Sequence, residues 1–151
     1  MPEAQRHPRG LLDTSVVIDL GLLSPNEMPI ELAVSAVTMA ELAMGPESAT
    51  GPEERARRIA LIQHAEDTFD QLPFDLAAAR AYGSVYAAVT AVGRKARGRR
   101  ALDLLIAAVA LSNKFPLYTH NPNDFVGLEN LLDIVAVPAA DSDVAARPPD
   151  A

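Results

Sequence analysis

Apolar residues in this chain come in short blocks divided by polar or turn-forming stretches. Leu11 and Leu12 make a first block the size of a short buried strand, and Val16 to Leu23 continue as a helix. Ala33 to Val37 reads as a second strand, and Thr38 to Met44 as a helical turn or more, stopped by Gly45-Pro46. Residues 52–68 predict a charged helix, with Glu53 and Arg57, and Glu54 and Arg58, in the favourable i,i+4 order. Residues 75–92 predict another, carrying Tyr82, Tyr86 and Val89 along one side, the pattern of a core or subunit-contact face. Residues 101–113 are apolar on every face, as in a fully buried helix. Leu117 to Thr119 and Ile134 to Val137 complete the set as short strands. Strands alternating with helices predict an α/β fold around a mostly parallel sheet.

The ends differ from the middle. Residues 1–10 are polar with two prolines and predict a disordered arm, and the Ala-, Asp- and Pro-rich residues 138–151 a flexible tail. A single domain over 11–137 lies between them. A chain of 151 residues, 49% apolar and 22% charged, can bury a core of its own. It has no cysteine, which excludes disulfides, thiolate metal sites and cysteine nucleophiles and suits a reducing cytoplasm. Asp13 and Asp19 interrupt the apolar run 11–23, so neither a signal peptide nor a membrane span is expected. The net charge of −7 argues against a nucleic-acid partner. However, Arg94, Lys95, Arg97, Arg99 and Arg100 fall within seven positions, and a local basic segment attracts phosphate even on an acidic protein. On charge alone a solvated loop explains that segment better.

Four acids stand out by position. Asp13 follows the first strand, Glu41 lies in the helix after the second, and Asp124 follows the strand at Leu117–Thr119. Asp103 is the single charge in an apolar helix. Ligands of open α/β sheets bind beyond the carboxyl ends of the strands, and carboxylates gathered there would hold a hard divalent cation. Each acid also has a structural explanation. Asp13-Thr14-Ser15 suits a helix N-cap, and Thr38-x-x-Glu41 matches a capping box. Asp103 could favour the positive end of its helix, and Asn121-Pro122-Asn123-Asp124 could be a plain turn. Asp103 fits its alternative least well, because a carboxylate among Leu102, Leu104, Leu105 and Ile106 is expensive to bury unpaired.

Taken together, the blocks LLDTSVVIDL, AVSAVTMAELAMG, RRALDLLIAAVA and LYTHNPNDF resemble, in order and separation, the motifs of the PIN-domain nucleases. Among those they resemble the VapC toxins of bacterial toxin–antitoxin pairs, over residues 11–135. One position departs: the family's fourth acid often lies two residues after the threonine, where this chain has Asn121. Many VapC-like chains read Thr-x-Asn-x-x-Asp-Phe, as here, which divides the fourth ligand between Asn121 and Asp124.

The resemblance implies a PIN domain with helices on both faces of its sheet, and metal-assisted hydrolysis of RNA, in tRNA or rRNA, that blocks translation. Asp13, Glu41, Asp103 and Asp124, with Asn121, would hold magnesium or manganese. Thr14, Ser15 and Thr119 would support those ligands or bond a phosphate oxygen. Arg99 and Arg100, with Arg97, Lys95 and Arg94, would contact the RNA backbone. A 5′-phosphate product, a homodimer and an antitoxin that fills the groove are implied as well. A non-catalytic PIN-like module that binds RNA or protein is the alternative. A phosphatase using Asp13 as nucleophile fits less well, because that chemistry usually wants an acid where Ser15 stands. His7, His64 and His120 show no metal-ligand spacing. His120 adjoins the acids and could be a base, but a loop side chain explains it better.

Overall fold

The computed structural model describes residues 6–140. Its centre is strand β1 (Arg9–Leu12), flanked by β2 (Glu31–Ser35) and then β3 (Asp70–Leu72) on one side. On the other side lie β4 (Leu117–Thr119) and β5 (Ile134–Ala136), and every pairing is parallel. Successive strand residues face opposite ways, so the sheet divides the core in two. Leu11, Ala33 and Leu117 meet α4 (Leu76–Ala91) and α5 (Arg99–Asn113). Leu12, Val34 and Tyr118 meet α1 (Thr14–Asp19), α2 (Ala36–Met44) and α3 (Pro52–Thr68). The α/β fold with helices on both faces is therefore observed. Gly10 is needed for this packing, because a Cβ there would lie 2.5 Å from the ring of Tyr118 and 2.9 Å from Pro29.

Several boundaries differ from expectation. The arm foreseen over 1–10 is structured at its end: β1 starts at Arg9, and Arg6 donates to the carbonyls of Met28 and Pro29 at 2.8 and 3.0 Å. Residues 1–5 lie outside the described residues, as does the tail from 141, and residues 138–140 belong to no helix or strand. The helix foreseen over Val16–Leu23 spans Thr14–Asp19 and continues as a 3-10 turn at Leu20–Leu22. The second strand stops at Ser35 and gives Ala36 and Val37 to α2, because the Ser35 hydroxyl accepts the Thr38 N–H at 3.0 Å and starts the helix. Strand β3 was not foreseen. Helix α5 is not buried on every face: Leu104 and Ile106–Ala110 are buried, but Ala101, Leu102, Asp103 and Leu105 remain partly exposed. Among the described residues no helix is long and apolar enough to cross a membrane.

Candidate active site

The parallel sheet points the carboxyl ends of β1, β2 and β4 at one edge, between the two helical layers. A groove of about 770 Å³ opens there. Asp13, Glu41, Asp103, Asn121 and Asp124 all line it, together with Thr14 and Ser15.

Asp13 leaves β1 and caps α1. Its Oδ1 accepts the Val16 N–H at 3.1 Å and the Ser15 hydroxyl at 2.6 Å, with only 6% of the residue exposed. Both bonds fall on one oxygen, so capping leaves Oδ2 available to a ligand. The N-cap explanation is thus correct for Asp13, and it aims the side chain into the groove.

Glu41 plays no capping role. Ser35 holds the cap, and Glu41 Oε1 instead accepts the Thr14 hydroxyl at 2.7 Å. A hydroxyl has one proton, so Thr14, having donated to Glu41, accepts from Thr38 at 3.1 Å. Ser35 donates in turn to Thr38 at 3.4 Å. Ser35 and Thr38 are fully buried, so this file of hydroxyls fixes Glu41 from below.

Asp103 shows the electrostatics. It is half-buried on α5, and its pKa is pushed up to about 6, by desolvation first and then by the negative charges of Asp124, Glu41 and Asp13. The Arg100 guanidinium opposes the shift without cancelling it. Three elements therefore bring their acids within electrostatic reach of a fourth. Among the described residues no three acidic or histidine side chains are already drawn in to metal-ligand spacing.

Asn121 and Asp124 both reach the groove, from the 3-10 turn Pro122–Phe125 and its cap. Buried Thr119 accepts the Asn121 N–H on Oγ1 at 3.0 Å, and Phe125 anchors the turn at 1% exposure. Thr119 does not line the groove; it holds the turn that does.

The basic segment divides. Arg99 lines the groove and Arg100 acts on Asp103, whereas Arg94 bonds the carbonyl of Asn123 and braces the turn. Lys95 and Arg97 are exposed and do not line the groove. His120 is a loop side chain, and a held one: Nδ1 is 2.9 Å from the carbonyl of Val137, and Nε2 lies 3.1 Å from Asp19 Oδ2, though off-line for a hydrogen bond. The histidine is 9% exposed and does not line the groove.

The sequence reading missed one wall. Glu54, Arg57 and Arg58 of α3 also line the groove, with Met44 and Leu61. Arg57 pairs with Glu54, not with Glu53 as its spacing suggested. The residues had been visible only as a charged helix.

A model of the PIN domain matches residues 10–128 of this sequence, most of the chain. The chain belongs to the PIN-domain family. As a PIN domain it is similar to Ribonuclease VapC5 of Mycobacterium tuberculosis, 35% identical over 128 residues, covering 83% of this chain and 91% of that protein. Ribonuclease VapC4 of the same organism is 32% identical over 127 residues, covering 82% and 93%. These likenesses place it among the VapC-like PIN domains. A chain of VapBC-5 from Mycobacterium tuberculosis, a member of the VapBC family of toxin–antitoxin systems, superposes with a TM-score of 0.74 at 34% identity. That match covers 87% of this chain and 99% of the other.

Proposed function

We propose that this PIN domain is a divalent-metal-dependent endoribonuclease, the toxin of a toxin–antitoxin pair. The observation that carries the reading is the gathering of Asp13, Glu41, Asp103 and Asp124 on one groove, where burial first and then the other three carboxylates raise the proton affinity of Asp103. A cation that shares such a charge concentration stabilises it. Five carboxylates (Asp13, Glu41, Glu54, Asp103, Asp124) against three guanidiniums (Arg57, Arg58, Arg99) leave the lining at −2. RNA phosphate would meet repulsion there until a divalent ion removes it.

The donor set suits magnesium or manganese, since every candidate ligand is oxygen: Asp13, Glu41, Asp103 and Asp124, with the amide oxygen of Asn121. When bound, such an ion supplies Lewis acidity toward water and phosphate. The chain's own groups prepare the site. Ser15 and the Val16 N–H hold Asp13, and Thr14 holds Glu41. Arg99 and Arg100 would contact the phosphate backbone, while Thr119 and Arg94 fix the turn that presents Asn121 and Asp124.

The likeness to VapC proteins and to a VapBC complex supports an antitoxin partner, and a homodimer or larger complex with it. A cysteine-free chain is compatible with cytoplasmic action. The test is cleavage of RNA by purified protein with manganese, and none with chelator. Retention of full cleavage in chelator would overturn the metal requirement, and absence of cleavage under all conditions would favour a non-catalytic binding module. Sequencing RNA ends after induction in cells identifies the target, expected in tRNA or rRNA.

A further inference from the structure

Helix α3 carries a triad that its role as a surface helix does not explain. Both oxygens of Glu54 are engaged: Arg57 donates to Oε2 through Nε, at 3.1 Å, and through Nη2, while Arg58 Nε donates to Oε1 at 2.9 Å. The arginines hold the Glu54 carboxyl below its usual range, Arg57 chiefly, so the triad is two cations on one anion with a net charge of +1. Their commitments differ. Arg58 also donates from Nη1 to the carbonyl of Gly45 at 2.7 Å, where α2 ends, so its guanidinium joins α3 to α2, and its side chain is only 37% exposed. Arg57 keeps Nη1 free of the triad's bonds, and its side chain is 68% exposed although it lines the groove. Across the groove stands Arg99, at the start of the helix on the sheet's other face.

We infer that Arg57, held in place by Glu54, is a phosphate-binding residue that grips the RNA backbone on the α3 wall of the groove, opposite Arg99. The inference rests on the ribonuclease reading above. Glu54 limits the entropy that a long side chain loses on binding and points a planar donor group along the wall. Arg58 is a positioning residue that locks α3 to α2. With Arg57 on one helical layer and Arg99 on the other, a strand lying along the groove is held on both sides of the acids.

The experiment measures manganese-dependent cleavage of a single-stranded RNA oligonucleotide, reading KM, kcat and the slope of log kcat/KM against log salt. Arg57→Gln should raise KM up to about five-fold, the range of an exposed ion pair, with kcat near wild type. Its salt slope should flatten by about 0.7, the value of one phosphate contact on a single strand. Arg57→Lys, which keeps the charge and loses the fork, should restore the slope. Arg55→Gln is the control, since Arg55 lies on the same helix and pairs with Glu47 outside the groove. Wild-type KM and slope in Arg57→Gln, or equal flattening in Arg55→Gln, would overturn the inference while leaving the ribonuclease intact. Failure of the wild-type protein to cut RNA in manganese would overturn both.

Discussion

Two regions of the same groove treat carboxylates in opposite ways. On the α3 wall, Glu54 is saturated by two guanidiniums and pushed toward its charged form. On the floor, burial first and then three more acids, against one opposing arginine, raise the pKa of Asp103 to about 6. Both are acids on helices lining one cavity, so residue type does not separate them. Burial does, and after it compensation. Glu54 has partners enough to be part of the framework, whereas the floor stores repulsion that a cation would relieve. A carboxylate left uncompensated by the protein is the better mark of a site that binds something else.

The sharpest way to break this contrast is to remove charge from the floor. Asp103→Asn keeps the shape of the side chain and should lower cleavage by at least about 100-fold, since even groups supporting a metal ligand account for 10–100-fold. Circular dichroism should show an intact fold, and wild-type turnover in magnesium would end the assignment of the floor as the site. Next comes the fourth ligand. Asp124 is the largest charge acting on Asp103, so Asp124→Asn should lower activity by roughly ten-fold or more, with part recovered at high manganese. Asn121→Ala should lose less. Cleavage rate against metal concentration separates them, and the reverse ranking would make Asp124 a turn residue.

The third prediction reads the stored repulsion as stability. Asp103 holds its proton more tightly in the folded protein than its ordinary value of 3.8, so folding takes up protons between pH about 4 and 6. Without metal, stability should therefore fall as pH rises through that window, and Asp103→Asn should flatten the fall. At neutral pH, magnesium or manganese at about 100 times the dissociation constant should contribute about 2.7 kcal/mol, a shift of several degrees in melting temperature. A triple amide variant at Asp13, Glu41 and Asp103 should show little shift. Equal shifts in the two proteins would contradict a common metal site. The smallest effect concerns the basic segment. Removing the charge of Arg99 should flatten the salt dependence of RNA cleavage by about 0.7, and removing that of Lys95 or Arg97, outside the groove, should do less. Equal slopes would mean that the segment acts only as diffuse charge.

Much of the framework was legible because it depends on local pattern. Leu11-Leu12, Ala33–Ser35 and Leu117–Thr119 are short apolar runs between turn signals, and they form the three central strands. Strand β3 was not legible, since Asp70-Gln71-Leu72 has two exposed polar residues in three and extends only because β2 offers its edge. Helix α2 starts at Ser35 and not at a Thr38 capping box, because two hydroxyls with similar local credentials compete for the cap. The apolar character of residues 101–113 concealed a partly exposed face, since counting apolar residues does not register where a neighbouring helix ends.

The sequence by itself determined the alternation of strand and helix, and it named Asp13, Glu41, Asp103 and Asp124 through the spacing of four motifs. Those are one-dimensional facts, carried by hydrophobic period and by residue order. Only the tertiary structure decided what these residues face. The parallel order of the strands carries residues 13, 41, 103 and 124 to one edge, across 111 positions that no local signal spans. It also seats α3 against α2 through the Arg58–Gly45 bond, which makes a charged surface helix into a wall of the groove. Electrostatic coupling depends on distance in space, so neither the raised affinity of Asp103 for its proton nor the freedom of Arg57 could be read before the chain was folded.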